Sequence, residues 1–323
     1  MVYARRLKRC ERKLMPVRLR PWARLNKIKM AMEKYQPSGE EVALKTIKER
    51  IELSLREPET RQKVKGDFTH TFHELGLSPE QAKQLCENVF SLLSTDEPLP
   101  EIETEILHIF EGTKLKVGDR EENLIEVLHE KLGNRARIIA SQVSPYLRDI
   151  KGKVIDYGAG DGQVTQILHD KLGLDIEGVD VRSYKASEVS VPVLLFNGRR
   201  VDVGSGNYEA GLLANILHHE KDNENILNEL DRIVRRRLVI IETVPVGETE
   251  DDMEGDKNRT FMNDYLYNRL FHNADVPVPG TFETPGKWIE RFTQYGWKLV
   301  RERDLKFDQP TIKDRHYLLV FEK

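Results

Sequence analysis

Asp156-Tyr-Gly-Ala-Gly-Asp-Gly162 packs two acids and three glycines into one short stretch. Gly158, Gly160 and Gly162 permit positive φ and carry no Cβ to keep a ligand off the backbone. A dinucleotide fingerprint, G-x-G-x-x-G, would seat a pyrophosphate on the following helix. Here the third position of that fingerprint is Gln163, so it fails. Asp156 instead suits a ligand with a positive group and no phosphate. Asp180, closing the next apolar run, is placed to accept hydrogen bonds from two ribose hydroxyls. Further on stand Asn215, the pair His218-His219, and a row Asp264, Asn268, His272 recurring every four residues. Such groups can accept protons. A histidine taken singly more often caps a helix, and a solvated face also produces a polar row.

Elements to position these residues can be read around them. Val154 and Ile155 form a short buried strand between Gly152 and Gly158. Val164, Ile167, Leu168 and Leu172 give helical spacing, and Gly173 stands where a C-terminal cap belongs. That helix presents unpaired N–H groups to the loop. A third strand is expected at Val191–Phe196 and another at Leu212–Ala214, whose polar end begins at Asn215. In an open α/β sheet that end faces the ligand crevice. Ile226, Leu227, Leu230, Ile233 and Val234 make one apolar helical stripe, with Arg235–Arg237 complementing its C-terminus. Leu238–Ile241 is the fifth strand, Glu248–Asp256 reads as a solvated acidic loop, and Phe261–His272 as a two-faced helix. Thr284-Pro285 opens the last helix, and Trp297–Phe307 and His316–Phe321 are two closing strands.

The Asp156–Gly162 loop with Gly178-Val-Asp180 resembles the first two motifs of class I S-adenosylmethionine-dependent methyltransferases. Leu217-His-His219 before an acidic helix is similar to their ubiquinone-biosynthesis-like (methyltransferase type 11) branch. The resemblance covers about residues 135–323 and implies a Rossmann-like α/β fold. Its sheet would have seven mostly parallel strands with an antiparallel last strand. It implies S-adenosylmethionine as cofactor, held by Asp156, Gly158, Ala159, Gly160, Gly162, Asp180, Val181, Asn197, Gly198 and Asn215. Asn197 stands where the family usually has an acid, keeping a carbonyl acceptor but no charge. An insertion at about 245–283 would form a lid, with His219, Asp264 and His272 as candidate catalytic groups. No Asn-Pro-Pro-aromatic tetrapeptide stands at Asn215, which favours methylation of oxygen or carbon in a small-molecule acceptor over nitrogen.

Residues 37–134 read as a helical region preceding that domain. Ser38-x-x-Glu41 and Ser78-Pro-Glu-Gln81 are capping boxes, Asp96–Pro100 a linker, and Asp119-x-x-Glu122 the start of a third helix. Ala136–Leu147 is a fourth. His70 and His73 could share one face, yet no cysteine or further histidine completes a set, and no metal site is expected. Residues 1–36 hold twelve Lys or Arg against two Glu, so +10 at one end faces −13 elsewhere in a chain of net charge −3. This arm could cover an acidic neighbour, touch RNA or target an organelle, although a transit peptide is serine-rich and acid-poor and this arm has no serine and carries Glu11. An RNA-modifying enzyme and a non-catalytic cofactor-binding partner are therefore the alternative readings. Cys10 and Cys86 imply no disulfide framework, and no apolar run nears the ~20 residues of a membrane span, so a cytoplasmic protein is expected.

Overall fold

The computed structural model describes residues 40–323 except 133, 184, 185, 187 and 272–276. The basic arm and His272 therefore lie outside the described residues. Four helices come first: α1 (Glu40–Arg56), α2 (Pro58–Glu74), α3 (Pro79–Leu93) and α4 (Leu99–Gly112). Ser78 caps α3 as expected, in a reciprocal box with Gln81. Asp96–Pro100 is less of a linker than its prolines suggest, because α4 already begins at Leu99, with Pro100 in its first turn. Asp119-x-x-Glu122 opens no helix. It lies in a hairpin of β1 (Lys114–Val117) and β2 (Arg120–Asn123), and α5 (Leu124–Leu132) starts only beyond it. Asn123 Oδ1 accepts the Glu126 N–H, and Glu126 returns a carboxylate oxygen to the Asn123 N–H, both at 2.9 Å. The box stands four residues later than the sequence suggested.

After α6 (Arg135–Leu147) the chain alternates β3 (Val154–Tyr157), α7 (Gln163–Leu172), β4 (Ile176–Asp180), β5 (Val193–Leu195) and β6 (Tyr208–Ala214). α8 (Asn223–Ile233) and β7 (Val234–Val244) follow, then α9 (Glu250–Tyr265), a wider-turned segment Leu266–Phe271, α10 (Pro285–Gln294), β8 (Lys298–Lys306) and β9 (Arg315–Glu322). The main sheet has the order β5-β4-β3-β6-β7-β9-β8. All neighbours from β5 to β7 run parallel, and β9 lies antiparallel between β7 and β8. This is a Rossmann-like sheet of seven mostly parallel strands with an antiparallel last strand, as expected. The chain leaves β3 toward β4 on one side and returns at β6 on the other, so the crevice opens at the ends of β3 and β6.

Two expectations change. The acidic stretch 248–256 is no loop but the beginning of α9, where Thr249 and Asp252 cap each other. Glu250, Asp251 and Asp252 occupy its first turn, where carboxylates oppose the positive helix end. Arg235–Arg237 lie inside β7 rather than on a helix terminus. Arg236 there pairs with Glu209 and Asp149, and Arg237 with Asp149 and Glu322.

Apolar residues of α1–α5 and those of 261–271, with Val278 and Phe282, form one cluster, joining Phe68, Phe72 and Phe110 to Phe261, Leu270 and Phe271. Phe110 and Phe271 stack with centroids 4.7 Å apart. The insertion after β7 is thus packed into the core of the helical region. Two further clusters cover the faces of the main sheet.

Candidate active site

The loop after β3 turns on glycines with φ of 78° at Gly158, 57° at Gly160 and 80° at Gly162. Gly158 and Ala159 donate their N–H groups to the Val179 carbonyl of β4. A Cβ on Gly158 would meet Ile216 Cδ1 at 2.3 Å, and one on Gly162 would meet Val189 and Val193 at 2.9 Å. A Cβ on Gly160 would meet nothing within 4 Å. A side chain at Gly158 or Gly162 would thus meet the protein itself, whereas at Gly160 only the positive φ opposes one. Across the crevice, Asn215 also holds a left-handed backbone, φ 57°, of the sort that persists where surroundings enforce it.

A cavity of about 460 Å³ opens here, within the usual range for small-ligand sites. Asp156, Gly158, Ala159 and Gly160 form its floor, with Ala214 and Asn215 beside them. His218, His219 and Thr243 line one wall, and Asp264, Tyr267 and Asn268 of the insertion another. The insertion thus brings two of its three aligned polar residues onto the cavity. Asp180 stands just outside: its Oδ2 accepts the Gly160 N–H at 2.8 Å and its Oδ1 the Arg182 N–H. Beside it, Phe196 donates its N–H to the Asp180 carbonyl, which brings the ends of β4 and β5 together. Half-exposed Val181 and Gly198 meet there. Asn197 Oδ1 is occupied by the N–H groups of Arg199 and Arg200, and neither Asn197 nor Gly198 lines the cavity.

Asp156 is buried, and the Thr165 hydroxyl donates to its Oδ2 at 2.6 Å. Burial pushes its carboxyl up to about 7, against the pull of that hydrogen bond. An acid whose folded pKa exceeds its unfolded value costs stability once the unfolded state can ionise. The cost grows from about pH 4 and is complete above pH 7. Asp156→Asn should accordingly raise the melting temperature at pH 8 and leave it nearly unchanged at pH 4. Equal effects at both pH values would show that the carboxylate carries no burial penalty.

His218 is enclosed. Its Nδ1 lies 2.5 Å from Glu242 Oε1 and its Nε2 3.5 Å from Asp264 Oδ1. Burial alone would lower its pKa, but the two carboxylates outweigh it and hold the ring at about 10. Glu242 is held in turn by the Leu217 N–H at 2.7 Å. His219, on the same short 3-10 turn, lies 2.8 Å from the Pro277 carbonyl through its Nδ1. That carbonyl can only accept, so Nδ1 carries the proton and Nε2 the lone pair. Asp264 Oδ1 accepts from Asn268 Nδ2 at 2.6 Å, while its Oδ2 is buried with no partner among the described residues.

Besides Thr243 and Tyr267 of the cavity lining, four site residues escaped the sequence reading. Arg135 at the start of α6 stacks over Tyr267 at 5.3 Å, and Asp314 before β9 is pushed up to about 6 by burial. Both line the cavity, as does His129. Glu242, behind His218, is the fourth. No spacing links these positions; only the tertiary fold does. Glu242 alone carried a signal, as the first acid after an apolar strand run.

No family model matches the chain, and no curated protein matches it. Solved structures do. One is the geranyl diphosphate C-methyltransferase of Streptomyces coelicolor, at TM-score 0.46 and 13% identity over 68% of this chain and 97% of that one. Another is a putative methyltransferase of Haloferax volcanii in complex with the Trm112 activator, at 0.44 and 12% over 60% and 93%. A third, a putative methyltransferase of Bacillus halodurans, gives 0.40 and 10% over 57% and 98%.

Proposed function

We propose that the chain transfers a methyl group from S-adenosylmethionine to an oxygen or carbon of a small-molecule acceptor. One observation carries this reading. The glycine loop with its buried acid and the lone pairs of His219 and Asp264 open onto a single cavity. The residues present fit the cofactor. The open space over Gly160 admits a ligand against the backbone, and Asp156 gains from a cationic neighbour. When bound, S-adenosylmethionine supplies a methyl group made electrophilic by its sulfonium. Asp156 and Asn215 would hold the methionine portion, and Asp180 and Val181 the nucleoside at the ends of β4 and β5, with Gly198 beside them; Asn197, its Oδ1 already taken by two N–H groups, offers no free carbonyl acceptor there. The insertion, through Asp264, Tyr267 and Asn268, excludes water and fixes the acceptor in line. His219 and Asp264 offer the lone pairs toward which an acceptor proton is drawn. His272 is kept as a third candidate on the same row.

Asp180 tests the reading. It already braces the Gly160 N–H, and two ribose hydroxyls would add charge-assisted bonds. Asp180→Ala should weaken S-adenosylmethionine binding roughly ten- to a hundredfold by calorimetry. A folded variant that binds as tightly as the parent refutes the assignment. NADH should show no measurable binding to the parent.

A further inference from the structure

We infer that His218, His219 and Asp264 together form a binding site for one divalent transition-metal ion facing the cavity. The three offer ligand atoms that all lie within 4.8 Å of one another. His218 Nε2 and Asp264 Oδ1 are 3.5 Å apart. Two ligands of a tetrahedral ion at about 2.0–2.1 Å stand about 3.4 Å from each other, so this pair is already near its bound spacing.

The surroundings are those of ligands. A metal-bound histidine nearly always gives its other ring N–H to a carboxylate or a backbone carbonyl, which fixes the tautomer. Both rings meet that condition here, His218 through Glu242 and His219 through the Pro277 carbonyl. Glu242 is anchored by the Leu217 N–H, so the ring it holds is anchored too. The Oδ2 of Asp264, buried and without a partner among the described residues, is a second sign. With no ion present the His218 ring, protonated between Glu242 and Asp264, is the cation beside this carboxylate, and an ion at its Nε2 takes the place of that proton and completes Oδ2.

Two imidazoles and one carboxylate are a ligand set suited to zinc or ferrous iron, with positions left open. Those positions face the cavity lined by the glycine loop. What the ion does there rests on the methyl-transfer reading. It would take an oxygen of the acceptor, lower the pKa of a hydroxyl whose proton leaves to water, and orient that oxygen. His219 and Asp264 then act through the ion, not as free bases. The acceptor class is thereby narrowed to molecules with an oxygen donor at or beside the methylated atom.

The test is binding of Co²⁺ or Zn²⁺ alone to the EDTA-treated full chain, without cofactor. Visible absorption for Co²⁺ and calorimetry for Zn²⁺ should report saturable binding of one ion per chain. His219→Ala should weaken it at least about tenfold, and Glu242→Gln, which removes no ligand, about ten- to a hundredfold. Asp264→Asn serves as the volume-conserving variant, and should it fail to fold, His219→Gln replaces it. Absence of saturable binding, or binding unchanged in His219→Ala, overturns the site. Asp180→Ala should leave Co²⁺ binding intact. Binding of Co²⁺ without binding of S-adenosylmethionine would therefore keep this site and remove the methyl-transfer reading. The reverse pattern would remove this site alone.

Discussion

Gly160→Val should abolish detectable S-adenosylmethionine binding, a loss of more than about a hundredfold, while the protein still folds. Among the loop glycines this position separates ligand from fold. At Gly158 a side chain would collide with Ile216, and at Gly162 with Val189 and Val193, so those variants would report on packing. At Gly160 the protein itself leaves space, and the residue lines the cavity. The backbone there has φ 57°, which a β-branched residue adopts at a cost of about 1–3 kcal/mol. Thermal melting should show that cost as a modest shift, and calorimetry should show no heat of binding. Gly160→Ala, with less bulk, should fall between. A folded Gly160→Val that binds like the parent would place the cofactor elsewhere.

The loop could be read from sequence because its constraints are local. A glycine at positive φ, Gly173 at a helix end and Ser78 or Thr284 before a helix each act over a few residues. The succession of strands and helices along the chain followed from the same local signals, whereas the arrangement of the strands in one sheet was implied only by the family resemblance. What escaped depended on competition or distance. Pro98 and Pro100 suggested a linker, yet proline in a first turn starts a helix as readily as it interrupts one. The acids of 248–256 suggested solvated chain, yet the same charges stabilise a helix N-terminus. The polar hairpin β1–β2 carries little alternation to mark it. In the site, His218 and His219 are neighbours in sequence with different fates. One is enclosed between carboxylates and the other leans on a backbone carbonyl, and only the 3-10 turn and the insertion decide which. Arg135 and Asp314, far apart in the chain, meet the cavity only after the sheet has closed.

Glu103→Ala should destabilise the protein by about 3 kcal/mol, though it lies on α4 and far along the chain from the glycine loop. Glu103 is buried and accepts the Tyr265 hydroxyl at 3.1 Å and two N–H groups of Arg269, at 2.9 and 2.7 Å. Those donors belong to the insertion, so this carboxylate ties the helical region to the segment that carries Asp264 and Asn268. Truncating one partner of a buried ion pair typically costs 3–5 kcal/mol, because the other charge remains buried without its carboxylate. The lower end is expected here, since Arg269 keeps some exposure. Glu103→Gln retains an acceptor and should lose less. Urea denaturation followed by circular dichroism would measure both. Because one apolar cluster joins α1–α5 to residues 261–271, Val278 and Phe282, unfolding should remain a single transition in each variant. A loss below about 1 kcal/mol, or a separate early transition of the helical region, would show that the insertion is not held by that core. With the core intact, loosening the insertion should also weaken Co²⁺ binding, since Asp264 and Arg269 lie on the same continuous helical segment.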